Sequence, residues 1–194
     1  MRTFVRVVAA VGVLLGAVVL EGSAEAKDLT GRVGVGYENS LVGGGAGVGL
    51  SGVAARYYVN QQLLLNAQFG VLMIDPDQNG ADSQNSFGLG VGGGYVFIDE
   101  PNLNIYGGAG LAFGQVPGPD DNGGTEGKTA IGLNTGIGME FFFVGLPNLG
   151  FTAQYGLSYA SVSDVGSTIA IGGSDFATFG IRYYFGGPKG PDQP

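Results

Sequence analysis

A two-residue alternation between apolar residues and small or polar residues runs through almost the whole chain. It is clearest in "FATFGIRYYF" (176–185), where every second residue counting back from Phe185 is apolar. Successive side chains of a β-strand point to opposite faces, so this period predicts strands and argues against amphipathic helices. The same alternation occurs in seven further segments, namely 29–38, 47–59, 63–73, 86–98, 103–114, 131–143 and 149–160.

The connections between these segments alternate in length. The long ones are rich in Gly, Asp, Asn, Ser or Pro, which are turn and loop residues. Strands that run up and down, with tight turns at one end and long loops at the other, are typical of transmembrane barrels. The short connections are 60–62, 99–102 and 144–148, and the long ones are 38–45, 75–85, 115–128 and 161–174.

Composition indicates which face of the strands meets lipid. Gly accounts for 40 of the 194 residues and charged residues for only 12%, too few charges for an ordinary soluble surface. With the apolar face outward, glycines fit the narrow lumen of eight strands, while Leu, Val, Phe and Tyr contact lipid. Aromatic residues near the strand ends then form an interfacial girdle. The sequence therefore predicts an all-β protein, an eight-stranded antiparallel up-and-down transmembrane β-barrel.

The N-terminus has the features of an export signal. Arginines precede an apolar run over 7–20, which is shorter than the roughly 20 residues that cross a bilayer as a helix. Ala24 and Ala26 follow in the small-x-small pattern of a signal-peptidase site. We therefore expect a cleaved signal peptide over 1–26, an outer-membrane barrel over 27–185 and a flexible C-terminal tail over 186–194.

Two segments, "FATFGIRYYF" and "ARYYVNQQLLLNAQFG" (55–70), resemble the OmpA/OmpX-like family of small outer-membrane β-barrels. The resemblance extends over roughly 28–185. It implies a monomer in the outer membrane of a Gram-negative envelope, in contact with lipid and lipopolysaccharide and inserted by the outer-membrane assembly machinery. The family's terminal Phe is often the last residue, whereas 186–194 follow Phe185 here. The resemblance implies an assembly signal in the last strand, made by Phe179, Ile181, Tyr183 and Phe185.

The available side chains exclude most catalytic chemistry. The chain has no Cys and no His, so it lacks a disulfide, a thiolate metal site and the commonest general base. Matches to G-x-G-x-x-G at 47–52 and 88–93 precede no helix and are expected by chance among so many glycines. Sixteen acidic residues against eight basic ones argue against nucleic acid as a partner. We expect no enzyme activity and no cofactor.

One long loop partly matches a calcium-binding loop. Asp75, Asp77, Asn79 and Gly80 fit the first half of an EF-hand loop, in which hard oxygens hold Ca²⁺. The twelfth position is Ser86, where the motif needs a bidentate Glu, and no helices flank the segment. We interpret it as a hydrophilic loop without a metal. Weak binding of divalent cations, bridging lipopolysaccharide phosphates, is the alternative.

Charged residues recur at a similar depth near the short-turn end of the strands. Alternation turns Arg32, Glu140 and Arg182 toward the lumen. Arg56 faces inward only if a bulge near Gly52 shifts the phase of its strand. The alternative for each Arg is to reach the interface from the lipid face. We predict a charged lumen plug formed by Arg32, Arg56, Glu140 and Arg182. Surplus Arg donors would be satisfied by Gln68, Gln154, Tyr106 or trapped water.

Two functions fit a barrel of this kind. The first, which the resemblance implies, is a structural or loop-mediated interaction or adhesion role. The second is a small porin-like channel for ions or small solutes, because inward glycine columns leave room for water. Further alternatives are an enzyme site on the loops, for which there is no His, and a soluble lipocalin-type barrel, which would need a Trp.

Overall fold

A computed structural model describes residues 28–40, 51–74, 84–119, 124–171 and 177–186. Within these ranges, no helix is long and apolar enough to cross a bilayer. The signal peptide, the partial calcium loop and most of the C-terminal tail lie outside the described residues. The strands are β1 (Val33–Ser40), β2 (Gly52–Tyr58), β3 (Leu63–Ile74), β4 (Gln84–Glu100), β5 (Leu103–Pro119), β6 (Thr125–Phe143), β7 (Leu146–Val162), β8 (Gly166–Ile171) and β9 (Ala177–Phe185).

The strands form a closed antiparallel barrel. From β1 to β7 each strand pairs with the next along the chain, and β9 closes the ring between β7 and β1. β8 pairs with β7 over 157–162, whereas β9 pairs with β7 over 149–155. β8 and β9 therefore share one position, and the ring has eight. The predicted eight-stranded up-and-down barrel is confirmed, with every neighbouring pair antiparallel.

The segment 161–174 differs from its prediction as a long loop, because it contains β8. A turn with Asp164 at a φ of 58° reverses the chain, and β8 then pairs back onto β7. β5 and β6 also extend further than predicted and pair out to Pro119 and Thr125. Gly and Pro, which usually mark turns, obscure the alternation in both places. Pairing within a long hairpin overrides that local preference.

Even-numbered residues face the lumen in the strands that close the ring. Outside the bulges, odd-numbered residues pair with odd-numbered ones, as Val33 does with Tyr57, and even-numbered residues pair with even-numbered ones. The even-numbered side chains therefore stay on one continuous face around the barrel. The buried hydrophobic residues of the strands are even-numbered, and nearly all exposed large hydrophobics are odd-numbered. Ile98 is an exposed exception, since the register of β4 shifts between Val96 and Ile98.

The outer surface of the ring is apolar. Near the short turns, aromatic rings on this surface meet edge to face. The ring centre of Phe143 lies 5.1 Å from those of Phe141 and Phe151, and Tyr183 lies 4.9 Å from Phe185. An apolar surface that continues around the ring suits the hydrocarbon of a bilayer rather than water. The aromatic groups match the predicted interfacial girdle.

Glycines on the inner face make room for large lumen side chains near the short turns. A Cβ added to Gly34 would lie 2.6 Å from the Tyr184 ring, and one added to Gly150 would lie 2.9 Å from Glu140 Oε1. Further toward the long loops, a Cβ on Gly90 would make only ordinary contacts, at 3.8 Å or more. The lumen is thus filled at the short-turn end and open above it.

Candidate functional site

An ion pair between Arg56 on β2 and Glu140 on β6 lies at the centre of the filled part of the lumen. Arg56 Nη1 is 3.0 Å from Glu140 Oε2, and neither side chain is exposed. The Tyr58 hydroxyl donates to Glu140 Oε2 at 2.6 Å, and the Tyr184 hydroxyl donates to Oε1 at 2.7 Å. Both carboxylate oxygens are therefore hydrogen-bonded, as a buried ion pair requires if its desolvation is to be offset.

The remaining nitrogens of Arg56 also have partners. Nε donates to Asn66 Oδ1 at 2.7 Å, and Nη2 donates to the Tyr106 hydroxyl at 2.7 Å. The guanidinium carbon lies 4.6 Å from the Tyr106 ring centre, within range of a cation–π interaction. Arg56 is thus held by β3, β5 and β6 at once, and it ties four strands together across the lumen.

A second ion pair, between Arg182 on β9 and Glu38 on β1, lies beside the first. Arg182 Nη2 contacts Glu38 Oε2 directly, and Nη1 donates to Thr152 Oγ1 at 3.0 Å. Glu38 Oε1 accepts hydrogen bonds from Gln154 Nε2 and Thr178 Oγ1, each at 2.9 Å. Both charged residues are buried. The two pairs balance in charge, with two guanidinium groups facing two carboxylates.

The four predicted plug residues occupy two different places. Arg56, Glu140 and Arg182 all belong to the two buried ion pairs. Arg32 precedes β1, is only partly buried, and donates from Nη1 to Asn148 Oδ1 at 2.8 Å, outside this group. Arg56 faces the lumen with no register shift in the paired part of β2. Residues 41–50, in which the phase of this strand was in question, lie outside the described part of the chain.

Several residues that complete the ion pairs belong to no recognisable sequence motif. Each is even-numbered, like Arg56 and Arg182, and this parity is the signal that could have found them. Glu38 ends the predicted first strand and begins the predicted loop, whereas β1 continues past it to Ser40. The residues are Glu38, Tyr58, Asn66, Asn104, Thr152 and Tyr184.

Below the ion pairs, a layer of buried apolar side chains closes the short-turn end. The ring centre of Tyr184 lies 6.0 Å from that of Tyr58 and 5.7 Å from that of Phe142. No member of the layer is more than 2% exposed, and Tyr106 also lines the cavity above the ion pairs. Its members are Leu29, Tyr58, Leu64, Val96, Tyr106, Phe142 and Tyr184.

Above the ion pairs, the lumen widens into a cavity of about 140 Å³. Arg182 and Glu38 are at its floor, and its walls combine glycine backbone with uncharged amide side chains. The amide side chains of these walls can hydrogen-bond water molecules. The wall residues include Gly90, Gly92, Gly108, Gly110, Asn66, Gln68, Asn134 and Gln154.

The residues of the predicted assembly signal lie on the outer face of β9, the strand that closes the ring. Their side chains are 42–55% exposed, so they contribute little to the lumen. They are Phe179, Ile181, Tyr183 and Phe185. Among the described residues, no group of three His, Cys, Asp or Glu side chains could hold a metal. Residues Ala24, Ala26, Asp75, Asp77 and Asn79 lie outside the described ranges.

No protein-family model and no curated protein matches the chain. Among solved structures, the N-terminal β-barrel domain of Pseudomonas aeruginosa OprF is 17% identical, with a TM-score of 0.48, and the match covers 82% of this chain and 100% of that one. Ail, the attachment invasion locus protein of Yersinia pestis, is 18% identical, with a TM-score of 0.48 and coverage of 80% and 99%. Ail in complex with the heparin analogue sucrose octasulfate is 17% identical, with a TM-score of 0.44 and coverage of 79% and 95%.

The geometry of this chain itself defines its architectural class. It is a closed ring of eight antiparallel strand positions, with an apolar exterior and a lumen filled by side chains. This is the architecture of small outer-membrane barrels of the OmpA/OmpX type, as the sequence resemblance implies.

Proposed function

We propose that the protein is an integral outer-membrane β-barrel with a sealed lumen, and that its role is structural or loop-mediated interaction or adhesion. The observation that carries the proposal is the closure of the lumen near the short turns, which we call the seal. The Arg56–Glu140 pair is fully buried, and the apolar layer below it is at most 2% exposed. A barrel closed in this way offers solutes no route, so its function depends on its outer surface and its long-loop end.

The outer membrane is the location that the exterior supports. Strands can cross a bilayer only as a closed barrel, because every backbone group must be paired. The ring is closed by β9, and its apolar belt would be unstable in water. The predicted signal peptide provides export. In this location the short turns face the periplasm, lipid and lipopolysaccharide surround the monomer, and assembly machinery inserts it.

The long-loop end supports the interaction role. β5 and β6 continue as a hairpin to Pro119 and Thr125, beyond the last pairing of β4 with β5 at Phe87 and Gln115. In the described part of this end, Lys128 is the one basic residue, and it already pairs with Glu126 and with Asp164. This charge distribution favours a neutral or basic partner over a polyanion.

Planar-bilayer recording of the purified protein tests the seal. We expect no steady ion conductance from the wild-type protein at neutral pH. A stable conductance in the wild type would contradict the proposal and favour the alternative, a small porin-like channel. The cavity of about 140 Å³ above the ion pairs is the feature that favours this alternative. Conduction would require Arg56 and Glu140 to separate.

Adhesion of whole cells tests the loop-mediated role. Cells that carry the wild-type protein are compared with cells whose protein lacks 77–81 and 120–123, on surfaces coated with extracellular proteins. We expect loop deletion to lower adhesion. Deletion of 187–194, which follow the last strand in the chain, is the matched control and should have no effect. Equal adhesion by loop-deleted and wild-type cells would contradict the interaction role and leave the structural one.

No catalytic role is proposed for the lumen. Arg56, Glu140, Arg182 and Glu38 are buried and engaged with one another, so a substrate would have to displace an ion pair to reach any of them. No cofactor is required for a structural or adhesive role.

A further inference from the structure

We infer that the segment 28–32 is a stopper that closes the periplasmic mouth of the barrel, with Leu29 as the side chain that fills it. This N-terminal stopper (28–32) lies before the first strand and is not part of the ring. The inference rests on the proposed function only in taking the lumen as closed at the short-turn end. It assigns part of that closure to a segment outside the strands.

The burial of Leu29 is the first observation. A residue that precedes β1 at the rim of a barrel would ordinarily face solvent. Leu29 is instead 2% exposed and belongs to the same apolar layer as Tyr58, Leu64 and Phe142. Those residues lie near the short-turn ends of β2, β3 and β6, so Leu29 sits inside the ring and not on its outer surface.

The sequence of the stopper folds it locally. Arg32 N donates to Leu29 O at 2.9 Å, which closes a turn around Thr30 and Gly31. Gly31 has a φ of 72°, the left-handed conformation that a type II turn requires at its third position. Thr30 N donates to Asp28 Oδ1 at 2.9 Å, and this hydrogen bond lowers the pKa of Asp28 below its ordinary value. The turn therefore presents Leu29 to the mouth.

Hydrogen bonds attach the stopper to two sides of the ring. Gly31 N donates to Tyr58 O at 2.8 Å, and Tyr58 N donates to Arg32 O at 3.1 Å, at the end of β2. Arg32 Nη1 donates to Asn148 Oδ1 at 2.8 Å, at the start of β7. In the ring, β1 and β9 lie between β2 and β7. The stopper thus bridges β2 and β7 past the ends of β1 and β9.

The position of the stopper links the seal to export. Cleavage after Ala26 would make Leu29 the third residue of the mature chain. Trimming only a few residues further would remove Leu29 and leave every strand intact. Correct processing of the N-terminus, and not only assembly of the strands, would then decide whether the base of the barrel is closed.

Labelling of a single introduced cysteine tests the stopper, because the natural chain has no Cys. Leu64→Cys places the reporter in the apolar layer, where Leu64 is 1% exposed. In detergent-folded protein, we expect it to react slowly with a charged maleimide. Adding Leu29→Gly, or deleting 27–30, should accelerate the reaction by roughly tenfold or more, since access no longer requires local opening. Gln61→Cys, in an exposed turn, is the reference for an open site.

Two glycines supply a matched control. Gly31 and Gly145 both have positive φ, 72° and 86°, and a Cβ on either would meet nothing within 4 Å. Both substitutions by Ala therefore strain a turn at the same end of the barrel, but only Gly31→Ala disturbs the stopper. In the Leu64→Cys background, Gly31→Ala should speed labelling and Gly145→Ala should not. Far-UV circular dichroism verifies that each variant is folded.

The inference is overturned if folded Leu29→Gly and Gly31→Ala variants label at the parent rate. It is also overturned if Leu64→Cys alone reacts as fast as Gln61→Cys. Fast labelling of the parent without ion conductance would reject the stopper and keep the ion-pair seal. Steady conductance by the wild-type barrel would instead reject the sealed lumen of the proposed function and the stopper together, because ions that cross the barrel must pass its periplasmic mouth.

Discussion

At the scale of single residues, Glu140 is the acceptor on which the lumen network depends most. It receives hydrogen bonds from Arg56, Tyr58 and Tyr184, and its side chain is fully buried. Without it, a guanidinium group and two hydroxyls would stay buried with no acceptor in that position. Breaking one partner out of a buried ion pair is far more costly than replacing the whole pair by apolar side chains.

Glu140→Ala should lower the free energy of unfolding by about 3–5 kcal/mol, less where lumen water reaches the freed Arg56. It should also raise the conductance of the barrel, because the constriction loses a bulky partner. Urea unfolding in detergent and single-channel recording measure the two effects. Glu126→Ala, at an exposed position of the same strand, should change neither. If the Glu140 variant matched the wild type in both measurements, the lumen plug would not exist.

Inner-face glycines differ in what they tolerate. A Cβ at Gly138 would clash with the Tyr106 ring, whereas the atom nearest to a Cβ at Gly90 would be 3.8 Å away, an ordinary contact distance. Gly138→Ala should therefore destabilise the barrel by about 1–3 kcal/mol, as overpacking does. Gly90→Ala should be neutral or slightly stabilising. Urea unfolding of the pair separates the effect of packing from that of losing a glycine, and equal stabilities would contradict the packing explanation.

At the scale of secondary-structure elements, β9 has two roles that can be separated. It closes the ring by pairing with β1 and β7, and its outer face bears the predicted assembly signal. Phe185 is 55% exposed, so its side chain has few lumen contacts to lose. A failure of insertion on its removal would therefore reflect recognition of the strand and not loss of core packing.

Phe185→Ala should leave the chain in the periplasm, where it is degraded, while deletion of 186–194 should be tolerated. Cell fractionation followed by immunoblotting measures both. Phe113→Ala is the matched control, since Phe113 is a 51% exposed aromatic residue on the outer face of β5. Normal insertion of the Phe185 variant would show that β9 is only a lipid-facing strand.

The strands could be predicted because a period of two survives in nearly every one of them. β8 could not be predicted, since glycines and polar residues surround Gly166–Ile171. Its pairing with β7 depends on the tertiary structure and not on the local sequence. In the candidate site, the inward direction of Glu140 and Arg182 follows from alternation alone. The partner of Arg182 does not, because only the register of β1 against β9 shows that Glu38 reaches it. The local pattern thus determines on which face of the sheet a side chain lies, and strand pairing determines which residues it contacts.

At the scale of the whole molecule, the barrel is predicted to consist of a processed chain in the outer membrane. We expect the mature protein to begin at Lys27 and to partition into the outer-membrane fraction. Intact-mass measurement of that fraction tests both points. Replacing Ala24 and Ala26 with Leu should block processing and give the full-length mass. A soluble species, or a full-length wild-type chain in the membrane, would contradict the prediction.

The location of the basic side chains has a consequence for proteolysis. Trypsin cleaves after Lys and Arg, yet Arg56 and Arg182 lie inside the lumen and the Lys128 side chain is only 11% exposed. The stretches 41–50, 75–83, 120–123 and 172–176 contain neither residue. We therefore expect trypsin applied to intact cells to release no loop peptide from this protein. Tryptic shaving would miss it at the cell surface, whereas a protease that cuts after Asp or Glu would have sites within 75–83 and 120–123.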